Sequence, residues 1–159
     1  MQVEVLAEHR WLEQMVGDWT FEIEAEMEPG AEPGRHTGRE SVRSLGGIWV
    51  VAEGRSDDAS DPHLSVMTLG FDPAKGRCVG SFVSSMMPGM WVYEGELDPS
   101  SSKLVLNTRG PSAAGDGTTA DYRDTIEFAS PDHRILTSSY QDAAGEWQLF
   151  MTAHYRSAS

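Results

Sequence analysis

Asp124 is the residue whose type and surroundings come closest to chemistry. It alternates with Tyr122, Ile126 and Phe128, so a strand through these positions would turn its carboxylate onto an apolar, aromatic face. A carboxylate held out of water titrates above its usual range, and can then act as a general acid or anchor a polar group of a ligand. Glu53, beside Trp49 and Val51, is a second case of the same kind. For both the plainer reading is an ion pair with Arg55 or Arg123, or a register one residue off that leaves the side chain in solvent.

The other reactive types are dispersed. None of the five histidines (His9, His36, His63, His133, His154) stands at metal-ligand spacing from another His or a carboxylate. Cys78 is the one cysteine, so an internal disulfide is excluded, and without a histidine partner it reads as structural. Met86-Met87-Pro88-Gly89-Met90 reads as a loop with three thioethers in five residues. Such pliable side chains suit a lid over an apolar pocket, a subunit interface, or a loop tucked against its own domain. Copper at these methionines would lack the usual Cys or His companions. There is no G-x-S-x-G, phosphate-binding glycine loop or zinc-protease signature, and Gly115-Asp116-Gly117 reads as a flexible tip. No catalytic motif, metal or cofactor is expected.

The elements that must position these residues are mostly strands. Val3, Leu6, Ala7, Trp11, Leu12, Met15 and Val16 fall on one helical face, which predicts a helix over 3–16 ending at Gly17. From Trp19 the period becomes two: Trp19, Phe21, Ile23, Ala25 and Met27 point one way, and Thr20 with four glutamates the other. Further strands are expected at 37–45, 48–53, 64–71, 77–85, 91–97, 103–109, 120–128, 134–140 and 147–156, separated by turns such as Gly46-Gly47 and Asp72–Gly76. No helical stretch follows the first strand, so parallel crossovers are excluded. About ten strands joined by short turns predict an all-β, up-and-down antiparallel barrel behind one short helix, a single domain over 1–159; a two-sheet sandwich is the alternative.

Composition sets outer limits. In 159 residues, 25 acidic side chains against 12 basic give a formal charge of −13, which repels phosphate backbones and anionic lipid heads. Nucleic acid and membrane partners are not expected. Neither a signal peptide nor a long apolar span is visible, which predicts a cytoplasmic protein.

A helix followed by Gly17-Asp18-Trp19 at the head of a meander resembles the calycin superfamily of lipocalins, fatty-acid-binding proteins and nitrobindins. More narrowly, His9-x-x-Leu12-x-x-x-Val16-Gly17-x-Trp19, with Gly46-Gly47-x-Trp49, Gly70-Phe71-Asp72-Pro73 and Tyr155-Arg156, is similar to an uncharacterised bacterial lipocalin-like family. The resemblance implies that Trp19 plugs the closed end of the barrel under an arginine of the last strand, for which Arg156 is the candidate. It also implies a cavity for a small, mostly apolar molecule. Nitrobindins bind haem through a His on the last strand, where His154 stands. Phe21 and Ile23, however, replace the glycines of Gly-x-Trp-x-Gly-x-Gly, so a strand His satisfied by a neighbour is favoured over haem.

Alternation from Trp19 predicts an inner wall of Phe21, Ile23, Met27, Trp49, Val51, Trp91, Tyr93, Leu104, Leu106, Tyr122, Ile126 and Phe128. The expected ligand contacts are Phe21, Trp49, Met86, Met87, Met90, Trp91, Tyr93, Tyr122 and Asp124, lying away from the Trp19 floor. The leading expectation is a barrel that binds a small hydrophobic molecule. The alternatives are a cofactor-independent cyclase or isomerase using Asp124, Glu53 or His154, and a filled barrel that pairs into a homodimer through the apolar strands 48–53 and 149–155.

Overall fold

A computed structural model describes residues 3–26, 30–112 and 114–158 of the chain. Helix α1 (Ala7–Glu13) precedes ten strands: β1 (Gly17–Ala25), β2 (Gly34–Leu45), β3 (Trp49–Ser56), β4 (Leu64–Asp72), β5 (Arg77–Ser84), β6 (Met87–Leu97), β7 (Lys103–Pro111), β8 (Thr119–Ser130), β9 (His133–Gln141) and β10 (Trp147–Ser157). Each strand pairs antiparallel with its neighbour in sequence, and β1 pairs with β10 to close the barrel. The sandwich alternative is thereby set aside. Met27, expected on the inner wall, lies outside the described residues.

The helix is shorter than the expected 3–16. Its face is set, but Leu6 is extended, and its N–H donates at 2.9 Å to His9 Nδ1, so the turn starts only there. Val3 and Val5 before it are exposed. At the other end Met15 and Val16 donate to carbonyls three residues back, tightening the last turn before Gly17, whose φ of 139° opens β1. The helix stoppers one end of the barrel. Trp11 and Leu12 are buried, Trp11 Nε1 donates at 2.7 Å to the Ser101 carbonyl, and His9 Nε2 lies 3.0 Å from the Phe71 carbonyl.

Inside, Trp19, Leu69, Leu104, Leu106, Ile126, Leu136 and Ala153 pack into one core. Strand β3 departs from expectation. Val50 and Ala52 are its core residues, while Trp49 is 38 % exposed and Val51 stands apart from the interior cluster. Glu53 likewise faces solvent and pairs with Arg43 at 3.2 Å. Because β3 is apolar on both faces, alternation from a distant strand could not fix its parity. Trp49 is held outside by its partner Gly70: a Cβ there would fall 2.3 Å from the indole, so the ring lies flat against a bare backbone. Met86–Met90 is not a free loop either, since β6 begins at Met87, which pairs with Ser84.

Candidate functional site

The barrel interior falls into an apolar chamber and a polar layer beneath it. The chamber has a volume of ≈ 570 Å³ and opens at the end opposite α1, lined there by Ile23, Ala25, Ser65, Phe82, Met87 and Met151. Phe21, Met86, Met87 and Tyr122 of the expected contacts line it. Phe150, carried inward at the irregularity between Leu149 and Met151, meets Tyr122 and Tyr140 edge to face and tilted, at 6.1 and 5.9 Å between ring centroids. His36, His63, Arg55 and Gln148 make its rim polar.

Trp91 supports this wall from the side. Its indole meets Tyr122 at 5.0 Å, T-shaped, and its Nε1 donates to Met87 Sδ at 3.1 Å. It covers Gly110, where a Cβ would lie 2.1 Å from the ring. The ladder between β6 and β7 runs only from Glu94–Asn107 to Leu97–Leu104, and the Trp91 ring covers part of the stretch beyond it. Met90 and Val92, one residue out of phase, point outward and are more than 60 % exposed, at 63 % and 62 %. Trp49, on the outer face, takes no part.

Tyr93 and Asp124 form the polar layer and do not line the chamber. Tyr93 Oη donates to Asp124 Oδ2 at 2.5 Å, and Ser138 Oγ donates to Oδ1 at 2.6 Å. Burial raises the Asp124 carboxyl above the usual range, opposed by these two hydrogen bonds. Burial, then the Asp124 charge, pushes the Tyr93 phenol up as well. Neither Arg55 nor Arg123 is the partner: Arg123 stacks outside on Trp147 at 4.0 Å. Deeper still, the buried Arg134 guanidinium pairs with Glu40 and stacks on Tyr155 and Trp19, at 4.0 and 4.9 Å from their centroids. Arg134 thus takes the place expected for Arg156, which is exposed: Arg156 pairs with the outward Thr20, so its parity is wrong for the floor.

Several of these residues escaped the sequence reading. Arg134, Leu136, Ser138 and Tyr140 alternate on β9, a pattern that marks Arg134 as inward once Leu136 is in the core. Glu40 had no such signal, because β2 carries almost no apolar residue to set its phase. His154 lies on the outer face and shares a hydrogen bond of 2.9 Å with His133, the neighbour-satisfied arrangement. Cys78 is fully buried, and burial, then the charge of Glu8, pushes its thiol up to about 12.

Among solved structures, the chain is similar to Rv2717c from M. tuberculosis, at TM-score 0.62 and 13 % identity, covering 98 % of this chain and 100 % of that one. It is also similar to the S-type phycobiliprotein lyase CPES from Guillardia theta, at TM-score 0.61 and 18 % identity, covering 94 % and 92 %. A redesigned β-barrel aligns at TM-score 0.51 and 8 % identity over 99 % and 100 %. At these identities the likeness is one of fold. No curated protein gives a significant match. A family profile does match residues 4–157, and by it the chain belongs to the family described as protein of unknown function, DUF1579.

Proposed function

We propose that the barrel binds a small, mostly apolar molecule in the chamber opposite α1. The observation that carries this reading is the chamber itself: ≈ 570 Å³ of space, within the usual range for small-molecule sites, where a filled barrel would have side chains. Its walls come from Phe21, Ile23, Phe82, Tyr122 and Met151, and desolvating a ligand against them supplies the drive. Met86 and Met87 supply a pliable lip, one of the three roles open to this methionine run. His36, His63 and Arg55 at the rim suit a ligand with one polar or acidic end.

Support from relatives is at the level of scaffold. One protein sharing the fold is named a phycobiliprotein lyase, so this kind of barrel also serves proteins that act on others. Native mass spectrometry of the purified protein, set against its denatured mass, tests the reading, together with fluorescence titration with a solvatochromic apolar dye. We expect a retained mass or saturable dye binding that Ala25→Phe, which narrows the chamber, reduces. A bare native mass and no dye response would discard it.

A further inference from the structure

On the outside of the barrel wall, β10, β1 and β2 form a second concavity, of ≈ 570 Å³, lined by Thr20, Thr37, Arg39, Thr152, His154 and Arg156 together with Glu22, Glu24, Arg35 and Asp57. In register, Thr20 stands between Arg39 on β2 and Arg156 on β10. With strands about 4.8 Å apart, the two arginine backbones are roughly 10 Å from each other. That spacing lets two long guanidinium side chains converge on a group placed over Thr20. Arg39 also stands directly opposite Arg55 of β3, a like-charge pairing that sheets ordinarily avoid.

These arginines stand out in this chain. With 25 acidic side chains against 12 basic, half of the ten arginines find a carboxylate: Arg35, Arg43, Arg77, Arg109 and Arg134. Among the described residues, Arg39, Arg55 and Arg156 form no ion pair and no side-chain hydrogen bond. The acids of the groove are already engaged. Glu22 and Glu24 hold Arg35 at 3.1 and 2.7 Å, and Asp57 accepts Thr37 Oγ1 at 2.8 Å.

We infer that this groove binds the dianionic phosphoryl group of a small soluble molecule, with Arg39 and Arg156 as the two guanidinium clamps over Thr20 and the Thr152 hydroxyl and His154 beside them. Planar guanidinium forks match phosphate oxygens two at a time, which a lone ammonium cannot do. The chain's net charge of −13 sets the size of the ligand. A polyanion such as nucleic acid or an anionic bilayer meets long-range repulsion, while a single phosphoryl group is small enough to meet only the two unpaired guanidiniums. The groove lies on the opposite side of the wall from the chamber and stands independently of it.

Phosphorus NMR titration of inorganic phosphate with the whole protein at low ionic strength tests this. We expect saturable broadening, binding weakened about tenfold or more in Arg39→Gln and in Arg156→Gln, and no change in Arg43→Gln, whose arginine lies on β2 with Arg39 but is already paired with Glu53 of β3. Arg39→Lys should keep part of the affinity, since charge survives without the fork. Melting curves report that each variant is folded; all these side chains are exposed. Absence of a phosphate response, wild-type affinity in the Arg39 and Arg156 variants, or retention on anionic vesicles without a response to phosphate would each overturn the inference.

Discussion

The guanidinium of Arg134 lies 4.9 Å over the indole of Trp19, joining the ninth strand to the first beneath the chamber. Arg134 and its partner Glu40 are 2 % and 10 % exposed, so neither charge is shared with water. Trp19 is fixed independently, its Nε1 donating at 2.9 Å to the Met15 carbonyl. The floor of the barrel is therefore a buried ion pair clamped between two aromatic rings. Arg134→Gln should destabilise the protein by about 3–5 kcal/mol, because Glu40 is left buried without a counter-charge. Thermal or urea unfolding measures it, and the double change Arg134→Met with Glu40→Leu should recover much of the loss. Equal instability in the double variant would mean that the rings, not the charges, carry the floor.

Asp124 gives a pH signature. Burial raises its folded pKa above the unfolded value, so its contribution is fully present below the unfolded pKa and is lost as pH rises through the folded one. Asp124→Asn removes that titration. The stability of the wild type relative to the Asn variant should thus fall from acid toward neutral pH in urea denaturation. A difference that stays flat with pH would show that the carboxylate is not held against its charge.

Gly110 has the Trp91 ring where its side chain would be. Gly110→Ala must push that ring, and the Tyr122 it meets at 5.0 Å, into the chamber. We expect a cost of about 1–3 kcal/mol, together with weaker dye binding. Gly70→Ala, which displaces only the outward Trp49, should lower stability while leaving dye affinity unchanged.

Cys78 is fully buried between Phe71 and Gly95, with its thiol pushed up to about 12. A disulfide reagent at neutral pH should label it only as fast as the protein unfolds. Labelling of the native protein at the rate of a free thiol would show that the core opens locally.

Alternation and turn chemistry alone carry this sequence to an all-β barrel. Trp19, Phe21 and Ile23 against a row of glutamates define one dry and one wet face, and glycine-rich turns at short intervals leave only antiparallel neighbours. The same alternation places Tyr93, Asp124 and Tyr122 inward, because β6 and β8 each have a polar face for contrast. It fails at Trp49, where both faces of β3 are apolar, and at Arg156, where the terminal strand runs one residue out of step with the expected floor.

Tertiary structure decided the rest. Whether an inward residue meets space or a neighbour depends on the height at which its strand enters the barrel, and local sequence does not encode that height. So Tyr122 lines the chamber, while Asp124, two residues along, pairs with Tyr93 and Ser138 below it. Which arginines find carboxylates likewise depends on cross-strand register. Arg35 reaches Glu24 on the neighbouring strand, and Arg39, four residues along, faces Thr20 and Arg55 instead. The periodicity of a strand is local physics, and its pairing partners are set only when the barrel closes.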